Sequence, residues 1–328
     1  MKRRRIIGLG VVATAALWFQ VAGKFEASRI DAQREGRLPA QAASLRIDSE
    51  RLMQTVTTLA DAKFEGRASG SPGGLAARAF VLERFKAIGL QPVAGAHVFP
   101  FTFTRKAVTS GGEVSAANVL GMCVGKDQKL PMFVVSAHYD HLGIRDGAIY
   151  HGADDNASGV AVMLEAAAYC VKNPMRRSIV FAAFDAEEGG LNGARVFVSD
   201  GPIPRARIGL NVNLDMVSRS DKREIFIAGT YHTPDLKPPL EMVAKRAPIT
   251  VLFGHDRPVA LAGGVDDWTN QSDHGPFHGA KIPFVYFGVE DHPDYHKPTD
   301  TADKINRGFF VDVAETVLDA LLQLDIAR

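Results

Sequence analysis

Imidazoles and carboxylates recur in short strings along this chain of 328 residues, and their types suggest one shared chemistry. The first string is His138-Tyr139-Asp140-His141, and the second is Asp154-Asp155-Asn156, set between Gly152 and Gly159. Asp185-Ala186-Glu187-Glu188 follows, then the single Asp215, then Glu290 with His292 and His296 close behind. Three or four of these carboxylates brought together without a cation would repel and raise one another's pKa. The imidazoles among them favour a transition-type divalent ion, since Mg²⁺ and Ca²⁺ prefer shells made of oxygen alone.

What would bring these strings together is the elements that precede them. Apolar strand-like runs cover Met132 to Ala137, Ser178 to Phe184, Ile208 to Leu214, Glu224 to Ala228 and Pro283 to Val289. Four of the five run directly into a polar string: His138, Asp185, Asp215 and Glu290 each stand at a strand exit. Helical patterns lie between them, notably Ser158 to Val171 (Val160, Met163, Leu164, Ala167) and Val311 to Leu324 (Val313, Val317, Leu318, Leu321). Upstream, a helix is expected from Asp48 with Leu52, Val56 and Leu59 on one face. Ser71-Pro72 supplies an N-cap and a first-turn proline for a second helix, which stops at Gly89. Near-continuous apolar strands alternating with helices predict an α/β fold: a mostly parallel mixed sheet covered by helices on both faces. In such sheets ligands bind beyond the carboxyl ends of the strands, where the polar strings fall. No internal repeat and no Pro/Gly/Ser-rich boundary divides residues 47–328, so one globular domain is expected there. The loop-like stretch Phe253 to Phe277, which holds Trp268, is expected to flank the cleft.

Composition narrows the classes. Hydrophobic residues make up 46% and charged residues 23%, close to the globular average. The formal net charge is +1, with no basic excess that would point to nucleic acid. Residues 1–23 hold four cations (Lys2, Arg3, Arg4, Arg5) and no acid, and removing them takes the net charge from +1 to −3. A basic cluster followed by the uncharged run 6–23 has the order of a secretory signal, and the run is nearly long enough for a membrane anchor. Export to the periplasm or beyond is therefore expected, with cleavage after 23 or retention as an anchor. Residues 24–46 read as a linker or connecting helix. Two cysteines, Cys123 and Cys170, are too few for a disulfide framework and are expected to be buried free thiols.

The strings Ala137-His138-Tyr139-Asp140-His141-Leu142-Gly143, Gly152-Ala153-Asp154-Asp155-Asn156-Ala157-Ser158-Gly159, Asp185-Ala186-Glu187-Glu188-Gly189, Asn213-Leu214-Asp215-Met216 and Tyr295-His296 together resemble the M28 family of zinc peptidases. Phe64-Glu65-Gly66-Arg67, Gly70-Ser71-Pro72-Gly73 and Ser272-Asp273-His274-Gly275-Pro276-Phe277 are similar to that family as well. The resemblance covers residues 48–328 in unbroken order and implies a zinc exopeptidase-like fold. It implies two Zn²⁺ ions, with Co²⁺ or Mn²⁺ as substitutes, bridged by Asp154. His138 and Asp215 would complete one shell, and Glu188 and His296 the other. Glu187 would be the general base acting on a metal-bridging water, and Asp140 would orient His138. Asp155, Asp273 and His274 would support the shells or touch substrate, and a cis peptide would join Asp154 to Asp155. The activity implied is a metallo-aminopeptidase acting on peptides with a free N-terminus. A glutaminyl cyclase-like zinc acyltransferase and a non-catalytic, receptor-like ectodomain are the alternatives.

Overall fold

The computed structural model describes residues 46–104 and 112–328. The expected export segment over 1–23, and all but the last residue of the linker expected over 24–46, lie outside the described residues. Among those described, no helix is long and apolar enough to cross a membrane.

In chain order the elements are α1 (Ser49–Leu59), α2 (Pro72–Ile88), β1 (Val98–Thr104), β2 (Glu113–Cys123), β3 (Met132–His138), the hairpin strands β4 (Gly143–Arg145) and β5 (Ala148–Tyr150), α3 (Gly159–Lys172), β6 (Ile179–Phe184), α4 (Asn192–Asp200), β7 (Ile208–Leu214), β8 (Glu224–Ala228), α5 (Lys237–Arg246), β9 (Thr250–Phe253), α6 (His274–Gly279), β10 (Phe284–Gly288) and α7 (Arg307–Ala327). The local signals read from sequence explain the helix starts. Asp48 accepts a hydrogen bond from the Arg51 backbone, and Ser71 caps α2 at the Gly74 N–H (3.0 Å), with Pro72 in the first turn. Gly89 ends α2 in the left-handed conformation at φ 89, which glycine adopts without steric cost.

Eight strands form one sheet in the order β1-β2-β6-β3-β7-β10-β8-β9. The fold is the mixed, mostly parallel α/β architecture expected. β6, β3, β7 and β10 are consecutive and parallel, while β1, β2 and β8 meet their inner neighbours in antiparallel fashion. Alternate residues feed two layers, as period-2 strands require. On one face Phe133, Val135, Phe181 and Val212 pack with the apolar sides of α1, α2, α3, α5 and α7. On the other, Val134, Val180 and Phe184 meet Phe197 of α4 and Phe277 of α6. Phe184, Phe197 and Phe277 form a tilted aromatic trio with centroids 5.4–6.3 Å apart.

Cys123 and Cys170 are not free thiols: they form a disulfide, with Cα atoms 6.3 Å apart. Neither the end of β2 nor the last turn of α3 looks like a disulfide site in sequence. Packing of α3 on the sheet face that carries Cys123 brings the two together from 47 residues apart. A cross-link closing a loop of that length restricts the unfolded chain and contributes about 2–4 kcal/mol. The double variant Cys123→Ala/Cys170→Ala should therefore lose about that much in denaturant unfolding, and reductant should leave it unchanged. Equal stability of the variant and the oxidised wild type would contradict this role.

Candidate metal centre

The parallel order of β6, β3, β7 and β10 places their carboxyl ends in a row. His138 pairs in register with Phe184, Ser136 with Asn213, and Phe287 with Leu214, so the next residues on each strand leave the sheet at one level. His138 is 1% exposed. Its Nδ1 lies 3.1 Å from the Asp140 carbonyl oxygen, the acceptor for an Nδ1–H. Its Nε2 then turns a lone pair towards Asp155 Oδ1 and Asp215 Oδ1, both at 3.3 Å. A lone pair facing two carboxylate oxygens calls for a shared cation or proton between them.

A second set adjoins the first. His296 Nε2 is 3.0 Å from Asp155 Oδ2 and 3.4 Å from Glu188 Oε2. His141 Nδ1 is 2.8 Å from Glu188 Oε1 and 3.7 Å from Asp155 Oδ2. The His141 Nδ1–Glu188 Oε1 contact is an ion-pair approach, while His141 Nε2 has no hydrogen-bond partner among the described residues. Buried polar atoms without partners are costly unless something else engages them. His138, Glu187 and Asp215 form one three-donor group and His141, Asp155 and Glu188 another, each with ligand atoms within 4.8 Å of one another. Mixed imidazole and carboxylate donors with an orphaned ring nitrogen fit zinc.

The geometry moves the shared carboxylate by one residue. Asp154, expected to bridge, is turned away. Its Oδ1 accepts from the Ser218 N–H (2.8 Å) and hydroxyl (2.6 Å), and its Oδ2 faces His292 Nε2 at 3.1 Å. Asp155, expected only beside the shell, presents one oxygen to each group instead. Its backbone is extended (φ −103, ψ 96), and neighbouring side chains on such a backbone point to opposite sides. Only one aspartate of the pair can face the centre. The cis peptide likewise joins Asp155 to Asn156, not Asp154 to Asp155.

The remaining expected residues divide by environment. Asp140 meets His138 through its backbone carbonyl, its carboxylate standing 3.8 Å away. That carboxylate instead accepts from the backbone N–H groups of Glu187 (3.0 Å) and Glu188 (3.4 Å), so it fixes the loop that carries them. Asp273 is fully buried, neither oxygen is hydrogen-bonded among the described residues, and burial pushes its pKa up to about 7. His274 faces the Trp268 carbonyl (2.8 Å) and stacks on Phe284, outside both donor groups. Burial pulls its pKa down to about 3, so it is neutral. Ser272, which no titration chemistry singles out, donates to Asp215 Oδ2 at 2.6 Å. His141 was legible only as a second imidazole in the first string, and its place beside Glu188 comes from the fold.

Electrostatics bear out the crowding. Burial opposes the charge on His138, but Asp215 and Glu187 outweigh it and hold the imidazole well above its ordinary value. Burial, with Glu188 and Asp215 adding to it, pushes Glu187 well up. Three residues at the centre, Ala186, Met216 and His296, adopt left-handed backbone (φ 60, 55 and 53). Such conformations persist where surrounding structure over-determines them. Above the carboxylates opens a cleft of about 300 Å³, walled by Leu191, Met216, Trp268, Tyr286, Val289 and Tyr295.

A profile of peptidase family M28 matches residues 118–321. Aminopeptidase YwaD of Bacillus subtilis (strain 168) is 31% identical over 234 residues, which are 68% of this chain and 47% of that protein. The chain thus spans about half the length of YwaD and smaller shares of the other curated relatives it matches. Among solved structures, BSAP, a zinc aminopeptidase from Bacillus subtilis, superposes with TM-score 0.66 at 18% identity over 86% of this chain and 96% of its own. Fimbriiglobus ruber glutaminyl cyclase does so with TM-score 0.67 at 23% identity over 87% and 98%. These superpositions share the fold, and the profile spans more than half the sequence: the chain belongs to peptidase family M28.

Proposed function

We propose that this protein is an exported di-zinc aminopeptidase, hydrolysing the first peptide bond of chains with a free N-terminus. The observation that carries this reading is Asp155, whose two oxygens face two separate imidazole-carboxylate groups at the carboxyl ends of four parallel strands. Relatives named as an aminopeptidase and a zinc aminopeptidase support the metal and the reaction. His138, Asp155 and Asp215 would hold one zinc. Asp155, Glu188 and His296 would hold the other, with His141 beside Glu188. Bound zinc would supply Lewis acidity, polarising the scissile carbonyl and acidifying water.

The residues of this chain do the rest. Glu187 lines the cleft next to His138 and Asp215, placed to take the proton of the attacking water on a carboxylate oxygen and return it to the leaving amine. Asp140 holds the Glu187 backbone in place. The α-amine of the substrate would meet the carboxylate edge of the cleft, and the apolar walls favour an apolar first residue. Export is supported by the order of residues 1–23 and by the Cys123–Cys170 disulfide, a bond that persists in oxidising compartments. The glutaminyl cyclase reading needs only one metal, and the two donor groups favour the reading with two.

Three measurements test this. Asp155→Asn should lose both zinc ions together, while Asp154→Asn keeps both, as read by metal analysis of the purified proteins; the opposite pattern restores Asp154 as the bridge. Glu187→Gln should keep zinc and lower turnover by about 10²–10⁴-fold, whereas Glu188→Gln should lose zinc. Finally, an aminoacyl amide with a free amine should be cleaved and its N-acetyl form not, because acetylation removes the charge and lone pair without changing the scissile bond. Comparable rates on both would point to an endopeptidase or another amidase, and cyclisation of N-terminal glutamine would point to the acyltransferase.

A further inference from the structure

Arg67 is 0% exposed and sits in left-handed backbone at φ 53, at the end of the short helical turn Ala62–Arg67. Its guanidinium makes four hydrogen bonds, and every acceptor is a backbone carbonyl. Nε donates to Tyr139 (2.9 Å), Nη1 to Leu59 (2.8 Å) and His151 (2.7 Å), and Nη2 to Gly152 (2.8 Å). Its own carbonyl accepts from the His141 N–H at 3.3 Å. Leu59 ends α1, and the other three acceptors belong to two arms of the metal centre. Tyr139 lies between His138 and Asp140, and His151-Gly152 leads into the turn that presents Asp155. The turn is seated without slack: a Cβ on Gly66 would stand 2.5 Å from the Tyr150 carbonyl oxygen and 2.6 Å from that of Gly143.

A buried cation that touches no anion is costly unless charge nearby compensates it. Here the carboxylates of Asp155, Asp300, Asp140 and Glu188 act on it electrostatically. Burial lowers the guanidinium to about 10, which leaves it charged at neutral pH.

We propose that Arg67 is a positioning residue of the metal centre: its planar fork ties the His138 arm to the Asp155 arm, and its charge offsets the carboxylate cluster before metal arrives. This rests on the di-zinc reading for its consequence, though not for its geometry. A lysine would keep the charge but lose the fork, since one ammonium cannot reach carbonyls on all these segments.

The test compares Arg67→Lys, Arg67→Met and, as a control, Arg177→Lys. Arg177 is equally buried (2% exposed) but is paired with Asp325, away from the cluster. Zinc affinity is measured by competition with a chromophoric chelator, and thermal unfolding is measured on zinc-stripped protein. Arg67→Lys should weaken zinc binding by about 10–100-fold, the range for groups that orient metal ligands, and Arg67→Met should weaken it more. Arg177→Lys should lower the unfolding temperature and leave zinc affinity unchanged. Wild-type affinity in folded Arg67 variants overturns the proposal, as does an equal loss in the control. Should neither Arg67 variant fold, amide hydrogen exchange of the wild type decides. Stripping zinc should leave segments 139–141 and 151–153 protected, and opening of both on metal removal overturns the clamp. Fewer than two zinc ions in wild type would defeat the di-zinc reading, while the exchange result would still stand for or against Arg67.

Discussion

Asp155, Glu187, Glu188 and Asp215 are held together on the wall of one cleft, and their mutual repulsion is the constraint that the surrounding structure answers. In low dielectric, like charges a few ångströms apart raise one another's pKa or draw in a cation. This chain surrounds them with imidazoles on three sides, from His138, His141 and His296. It also places the Arg67 guanidinium beneath them, fixed to carbonyls and so unable to collapse onto any one carboxylate. The imidazoles prevail at Asp155: although burial opposes ionisation, His141 and His138 hold its carboxyl well below the usual range. A centre arranged this way is already shaped for divalent charge.

The sheet makes the arrangement rigid. Because β6, β3 and β7 are adjacent and parallel, their exits deliver Glu187, Glu188, His138 and Asp215 to one line without long loops. Loop-borne donors are tied back to that line. Asp300 accepts from the N–H groups of Asp154 and Asp155 at 3.0–3.1 Å, fastening the segment that carries His296 to the turn that carries Asp155. Asp185 accepts from the Tyr139 hydroxyl (2.7 Å) and the Ser69 hydroxyl (2.7 Å), joining the exits of β6 and β3.

Much of this was legible in the sequence because apolar runs and the polar residues that end them are local features. Residues 208–214 and 224–228 fold as the strands their pattern predicts, and Asp48, Ser71 and Gly89 cap helices as their chemistry suggests. The edge strand β1 is not legible in the same way, because its half-exposed residues lack the continuous apolar signal of a buried strand. The Cys123–Cys170 bond escaped because it depends on how α3 lies on the sheet, a tertiary fact. The choice between Asp154 and Asp155 escaped for a finer reason. Two identical side chains in sequence differ only in which way the backbone turns each, and no composition or spacing records that.

Their hydrogen-bond partners separate the two kinds of buried aspartate. Asp154 is satisfied by Ser218 and His292, Asp140 by the Glu187 and Glu188 backbone, and Asp185 by Tyr139, Ser69 and the Ala117 N–H. Each is a structural acceptor with its lone pairs engaged. Asp155 and Glu188, by contrast, are approached among the described residues only by imidazole nitrogens, which can themselves be ligands. Asp215 lies between the two kinds: Ser272 engages one oxygen, and the other is left to His138. Asp155 and Glu188, short of N–H and O–H donors and faced by imidazoles, are therefore the ones aimed at the shared centre, whereas Asp273, also without a donor among the described residues, has no imidazole within ion-pair distance there. Their shortage of donors together with the imidazoles that face them, rather than burial, marks Asp155 and Glu188 as the groups that would meet a metal.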